Sequence, residues 1–308
     1  MPGHVAVVIV GFRNPGDIAG CLAALADQTH ADFSVVVCEN GGREACRDLA
    51  DALPDRLAGG QQVGLVCAVE NLGYAGGVNL GIVASPLAEA WWVLNPDTQP
   101  EPQALELMLR RLRRGDCDAV GSTMVGDDGR VLGTGYTFNF WTGFSSALGY
   151  GRSLDEPIDA AAVERRTSFI SGASMLVSRR FVETVGLMRE DYFLYCEETE
   201  WCQRARLKGL RLGLALDARV HHLQGTTTGA RGGVAERPRL PVFLGERNSL
   251  LMVRDLYPMR WPLVALPQLA TTLVRFARRR AWRQIGYAFE GWRDGVLDRR
   301  GKPVWFAG

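Results

Sequence analysis

Val5 to Val10 reads Val-Ala-Val-Val-Ile-Val, an unbroken apolar run closed by Gly11. A strand without polar alternation has to be covered on both faces, which is the condition of a strand inside a parallel sheet. Asp17 to Gln28 follows with apolar residues at Ile18, Cys21, Leu22 and Leu25, the spacing of an amphipathic helix. The pattern then repeats. Phe33 to Cys38 predicts a second buried strand, Glu44 to Leu57 a helix, Gln62 to Val69 a third strand and Gly77 to Ala84 another helix. Trp91 to Leu94 predicts a short fourth strand ended by Asn95-Pro96-Asp97. Strands alternating with helices over this stretch predict an α/β fold with an open, mostly parallel, doubly wound sheet. Ligands of such sheets lie beyond the carboxyl ends of the strands.

Beyond a predicted helix at Leu105 to Arg114 the pattern changes. Gly121 to Ala147 is rich in Gly, Thr and aromatics with strand-like pieces, and Arg152 to Arg166 reads as a polar surface loop. Ser168 to Val177 predicts a strand, Arg180 to Val185 a short helix, Glu198 to Lys208 a helix with Gly209 as its C-cap, and Leu210 to Ala215 a strand with Val220 just beyond. Residues 1–253 then form one nucleotide-binding type of domain, and 254–308 a basic, amphipathic helical C-terminal extension. The chain's formal charge of +1 conceals this division: from Arg254 onward eleven basic face four acidic residues, a local +7 against −6 for the rest. Arg275, Arg278, Arg279, Arg280 and Arg283 alternate with Leu273, Val274, Phe276, Trp282, Ile285, Tyr287 and Phe289. That pattern suits a helix lying on an anionic membrane surface, and equally a solvated helix face.

With 47% hydrophobic residues the chain excludes disorder and collagen-like repeats. Seven cysteines without a CxxC pair argue against a disulfide framework or zinc cluster and for a reducing cytoplasm. The opening residues predict no export signal, and Trp261 to Ala277, broken by Pro262 and Pro267, predicts no transmembrane helix.

Four constellations suggest chemistry. Asn71 to Gly81 concentrates glycines between a strand and a helix, where backbone can approach phosphate or simply turn. No dinucleotide fingerprint follows the first strand, where Gly11-Phe12-Arg13-Asn14 stands instead. Asp97 sits where a Mg or Mn ion would be held at the sheet edge, although Asn-Pro-Asp is also a routine turn. Glu197, Glu198 and Glu200 cluster at a helix start beside Tyr192-Phe193-Leu194-Tyr195. Like charge and desolvation there would raise a carboxyl pKa and create a general base, against the opposing helix terminus. His221 and His222 precede the Gly225 to Gly229 loop and offer an imidazole ligand for Mn.

Read in order, VAVVIVGFRN, VVVCENGG, NLGYAGGVNLGI, WWVLNPDTQP, FISGASMLVSRRFVETVGLM, DYFLYCEETEWCQRARLKG, ARVHHLQGTTTG and ERNSLLMVRD resemble the family 2 inverting glycosyltransferases of the GT-A fold, most closely the bacterial rhamnosyltransferase-like branch. The resemblance spans Val5 to Val253. It implies a metal-dependent inverting transfer, with L-rhamnose from dTDP-L-rhamnose favoured, to a glycan or lipid-linked glycan in cell-surface polysaccharide biosynthesis.

By resemblance, Gly11, Arg13, Glu39, Asn71, Gly73, Gly77, Asn79, Asn95 and Arg247 lie on the donor side. Asp97 and His222 are the metal ligands and Glu198 the catalytic base. Ser171, Gly172, Glu197 and Trp201 face the acceptor. The cofactor implied is Mg or Mn, and the partners are a nucleotide-sugar donor, a glycan or lipid-linked acceptor and an anionic membrane surface, with no nucleic acid. The location implied is the cytoplasm, peripheral to the inner face of the membrane. The family often has Asp where this chain has Glu39, Glu198 and Glu200, and an acid where Asn95 stands. A sugar nucleotidyltransferase and a non-catalytic carbohydrate-binding module are the alternatives. The first lacks its early Gly-rich loop here, and the second would need no base.

Overall fold

The computed structural model describes residues 3–222 and 233–306. The Gly225 to Gly229 run therefore lies outside the described residues.

The first half alternates as its hydrophobic runs require: β1 (Val5–Gly11), α1 (Pro15–Ala26), β2 (Phe33–Glu39), α2 (Arg43–Ala52), β3 (Val63–Cys67), α3 (Gly73–Ala84), β4 (Ala90–Leu94), β5 (Thr98–Pro100) and α4 (Ala104–Leu112). The strand period of two divides β1 between two cores. Val5, Val7 and Ile9 pack with α1 and α4, while Ala6, Val8 and Val10 pack against α3 on the opposite face. Every residue of β1 is buried, which is why the run tolerates no polar residue. Helix α3 begins four residues earlier than its apolar spacing predicts, at Gly73, which takes φ +75° against the Phe193 carbonyl, where any side chain would collide. A Cβ at Gly77 would overlap Val10, and one at Gly81 would overlap Val8. The glycines of this segment thus seat α3 directly on β1.

The second half continues with β6 (Ala119–Val125), β7 (Val131–Gly133), β8 (Gly135–Asn139), β9 (Phe144–Leu148), α5 (Ala160–Arg166), β10 (Ser174–Ser178), α6 (Arg179–Val185), α7 (Glu197–Leu207), β11 (Leu212–His222), α8 (Arg239–Leu256), α9 (Trp261–Ala277) and α10 (Trp282–Val296). The main sheet runs in the order β3-β2-β1-β4-β10-β6-β11-β5, with β7 on β6, and β8–β9 form a separate hairpin. It is parallel from β3 to β4; β10 then enters antiparallel between β4 and β6.

Four sequence expectations are corrected. Part of the expected 152–166 loop is helix α5, started by the Asp159 side chain accepting from the Ala162 amide. The strand expected at Ser168 to Val177 forms only from Ser174. The strand expected to stop at Ala215 continues to His222, because a bulge between Ala215 and Arg219 absorbs the polar break at Asp217. Cys46 on α2 and Cys67 on β3 are joined as a disulfide, which no CxxC spacing announces.

The C-terminal segment is three packed helices. The boundary expected after Val253 falls inside α8, and α10 lies so close to α8 that a side chain at Gly291 would overlap the Phe243 carbonyl. The helix suggested by the Leu273 to Phe289 alternation is interrupted at Arg280, which has φ +53°. Phe276, Ala281 and Ala288 are buried with Val242 in their own small core. Several tail arginines are engaged in ion pairs, including Arg300 with Asp255 at 2.7 Å and Arg275 with Glu246 at 3.0 Å. Among the described residues no helix is long and apolar enough to cross a membrane.

Candidate active site

Because β1, β2 and β4 are parallel, their carboxyl ends meet at one edge. The residues of β1 and β2 expected on the donor side are tied together there. Glu39 Oε1 accepts from the amides of Arg13 (3.0 Å) and Gly41 (2.7 Å), and Gly11 packs against that carboxylate. The Arg13 guanidinium donates to the Gly41 carbonyl at 3.2 Å. Asn40 extends the edge toward α3. Its Nδ2 donates to the Gly73 carbonyl (2.7 Å), its Oδ1 accepts from the Leu72 amide (2.9 Å), and Asn71 Oδ1 accepts from the Gly73 amide (3.0 Å).

Two other residues of this loop are placed for architecture. Gly77 is the contact point of α3 with Val10, and buried Asn79 exchanges hydrogen bonds with Met188 N and O and donates to Glu190.

After β4 the chain turns through Asn95-Pro96-Asp97 into β5. The Asn95 amide donates to the Ala173 carbonyl at 3.0 Å, and Thr98 Oγ1 donates to the Asn95 carbonyl at 2.6 Å. Strand β11 pairs antiparallel with β5 in the register His222↔Thr98, which carries His222 to the turn. Its Nε2 lies 3.2 Å from Asp97 Oδ1, and both side chains are largely buried. Strand alternation sends the neighbouring His221 the other way, toward Glu101 at 3.4 Å. Strand alternation is therefore what sends the two histidines to different carboxylates. A carboxylate oxygen and an imidazole nitrogen in contact are a donor set that suits Mn²⁺, leaving other positions for oxygen ligands of a substrate. Among the described residues no cluster of three His, Cys, Asp or Glu side chains supplies more.

Opposite this pair stands the start of α7. Tyr74, which sequence reasoning passed over, links the two: its hydroxyl donates to the Gly172 carbonyl at 2.5 Å. Burial first, then the charges of Glu198, Glu197 and Asp97, hold that phenol well above its ordinary pKa of 10.0. The same hydroxyl therefore feels carboxylates from both halves of the site. Gly172 lies beside both Tyr74 and Glu198 Cβ. Tyr136, also unforeseen, hydrogen-bonds Ser171 and is pushed up to about 12, mainly by burial and further by Glu198.

Glu197 and Glu198 differ in setting. Glu197 is buried with Oε2 lacking a hydrogen-bond partner, and desolvation followed by the charge of Glu198 drives its pKa well above 4.5. Glu198 is half-buried; desolvation raises it too, while the amides of Glu198 and Thr199 at the helix start oppose the rise. Two adjacent carboxyls that cannot both ionise comfortably share the charge unequally. Of the two, Glu197 is the more strongly raised, and Glu198 lies beside Gly172. Glu200 points away, in a paired contact with Arg204 (2.8 and 2.9 Å).

The backbone leading into α7 is strained: Phe193, Tyr195 and Cys196 have φ of 69°, 70° and 70°. Asn248 on α8 holds it, its Nδ2 reaching the carbonyls of Tyr192 (2.9 Å), Leu194 (2.7 Å) and Tyr195 (2.9 Å). Arg247, expected on the donor diphosphate, is buried instead and donates to the Tyr192 and Gly301 carbonyls. Trp201, expected on the acceptor side, is in the core, edge-on to Phe181 and donating to the Gly186 carbonyl at 2.8 Å. A helix-period pattern could have assigned it there.

The family model described as glycosyltransferase-like family 2 matches residues 2–237. The chain belongs to that family. The glycosyltransferase is 28% identical over 319 residues to the N-acetylglucosaminyl-diphospho-decaprenol L-rhamnosyltransferase of Mycobacterium tuberculosis, covering 92% of this chain and 97% of that one. It is 22% identical to the low-salt glycan biosynthesis hexosyltransferase Agl10 of Haloferax volcanii, covering 98% and 94%. Among solved structures it resembles the mannosyltransferase PcManGT from Pyrobaculum calidifontis in complex with GDP-Man and Mn²⁺. That likeness has a TM-score of 0.59 at 15% identity and covers 97% of this chain and 88% of the other, placing the glycosyltransferase in the GT-A fold.

Proposed function

We propose that the glycosyltransferase transfers a sugar with inversion, L-rhamnose from dTDP-L-rhamnose being the favoured donor, to a hydroxyl of a lipid-linked glycan in cell-surface polysaccharide synthesis. We place its work at the cytoplasmic face of the membrane. The reading rests on one observation: the Tyr74 hydroxyl feels the charges both of Asp97, which pairs with His222, and of Glu198.

Each group has a distinct task. The carboxyl ends of β1 and β2, with Glu39, Asn40 and Arg13, line the side where the nucleotide lies. Asp97 and His222 would hold a divalent cation, which supplies positive charge where the leaving diphosphate gains negative charge. Glu198 takes the acceptor proton as that oxygen attacks the anomeric carbon from the face opposite the diphosphate. Its raised pKa makes it a stronger base than an exposed carboxylate. Tyr74 and Tyr136 hold the Ser171-Gly172 segment beside Glu198 through their hydroxyls. A single displacement needs no covalent enzyme intermediate.

The experiment is turnover and thermal shift against dTDP-L-rhamnose and UDP- and GDP-linked hexoses, with and without Mn²⁺. Stabilisation and metal-dependent hydrolysis of dTDP-L-rhamnose above the others support the reading. A preference for another nucleotide sugar would overturn the donor assignment, and metal-independent turnover would overturn the role of Asp97 and His222.

A further inference from the structure

Away from the catalytic edge a cavity of about 440 Å³ opens between the tip of the β8–β9 hairpin and the corner joining α8 to α9. Its walls are aromatic: Phe138, Phe140, Trp141 and Tyr257, with Val264 beneath. Phe138 packs edge-on to Phe140, and Phe140 edge-on to Tyr257, so the surface is built and not incidental. Buried Gln268 of α9 donates to the Phe140 carbonyl at 3.2 Å and fixes the hairpin tip in place. Arg260 is the one charged lining residue among those described, and its guanidinium lies 5.4 Å from the Tyr257 ring centroid.

Two further observations give the cavity a direction. Strand β8 runs from the catalytic pocket to the cavity: Tyr136, near its start, bonds Ser171 and senses Glu198, and Phe140 follows just past its end. At the strand rise of about 3.3 Å per residue, the four steps from Tyr136 to Phe140 span roughly 13 Å, comparable to one sugar with a diphosphate. On its far side, the α8–α9 corner exposes Met259, Leu263 and Leu266 to solvent, each more than half accessible. Singly exposed apolar residues need no explanation, but Leu263 and Leu266 on one face of α9, with Met259 in the turn just before it, beside an aromatic cavity do.

We infer that this cavity seats the diphosphate-proximal isoprene units of a prenyl-diphosphate-linked acceptor, with Arg260 against the diphosphate and the Met259–Leu266 face meeting the bilayer that holds the chain. The inference rests on the lipid-linked acceptor reading and locates the lipid on this molecule. Aromatic walls accept the flat, branched isoprene unit. A lone arginine over a tyrosine at the mouth matches an anionic link between that chain and the sugar.

The test is photo-crosslinking of the full chain with benzophenone-tagged farnesyl diphosphate, under Mn²⁺ and excess dTDP and UDP to occupy the donor edge. Labelled peptides are mapped by mass spectrometry. Label is expected on residues 137–141 and 257–264. Trp141→Ala and Arg260→Glu, both at exposed positions, are each expected to lower its yield about ten-fold at sub-saturating probe, and Trp141→Phe to restore most of it. Label mapping elsewhere, or unchanged in both variants, overturns the cavity assignment and leaves the lipid-linked reading standing. No label anywhere overturns both. Loss of anionic-vesicle sedimentation in the variants without loss of label would make the corner a general membrane contact, and would also overturn the assignment.

Discussion

Asn248→Ala is the perturbation that best separates position from chemistry at this site. Its Nδ2 stands 2.7–2.9 Å from three carbonyls of the segment entering α7, and the residue is fully buried. Removing the amide leaves the Leu194 and Tyr195 carbonyls without this donor, while the Tyr192 carbonyl keeps the one from Arg247; each buried acceptor left unsatisfied costs about 1–3 kcal/mol of stability. Over those two acceptors a total loss of roughly 2–4 kcal/mol follows. The same segment holds three non-glycine residues at positive φ, at about 1–2 kcal/mol each, so an unpinned backbone has reason to relax. Relaxation moves Cys196 and with it the first turn of α7, where Glu198 begins. A displacement near 1 Å costs on the order of 100-fold in turnover. Steady-state kinetics beside thermal melting checks this: kcat should fall about 100-fold with donor KM nearly unchanged, because Glu39, Asn40 and Asp97 belong to other elements. A variant that melts earlier yet retains kcat within about two-fold would refute the claim that Asn248 positions the base.

Other outcomes follow from single contacts. Gly77→Ala should destabilise by about 1–3 kcal/mol, measured by denaturant titration, since its Cβ would overlap Val10 and α3 has no room to withdraw. Asp97→Ala should abolish or greatly weaken Mn²⁺ binding in a calorimetric titration made with donor, and an unchanged isotherm would remove the carboxylate from the metal site. Glu246, desolvated beneath Arg275, is raised from 4.5 to about 7. The folded state therefore holds a proton that the unfolded state releases. Its contribution to stability is full below about pH 4.5 and is lost as pH rises to about 7, so Glu246→Gln should flatten the melting profile over that window.

The centre of the sheet was legible because its strands are buried on both faces and so written as unbroken apolar runs, β1 being the clearest. Where tertiary contacts override local pattern, the sequence was silent. Strand β11 crosses a polar break at Asp217 by a bulge, and only that crossing delivers His222 to Asp97. The C-terminal arginines read as a free basic face, yet Arg275 and Arg300 face carboxylates on distant segments, and the helix breaks at Arg280. Asp97, His222 and Glu198 announce themselves by chemistry and motif. Tyr74 and Asn248 carry no such mark, since their partners lie 98 and 53–56 residues away.

The central claim is that Glu198 acts as a base and not as a binding group. Glu198→Gln keeps the length and shape of the side chain while removing its capacity to accept the acceptor proton. Sugar transfer and donor affinity should therefore be measured on one preparation, the first by product formation and the second by calorimetry. Turnover should fall at least about 100-fold, with donor affinity within about two-fold of wild type. Transfer at the wild-type rate, with Glu198 replaced, would contradict it.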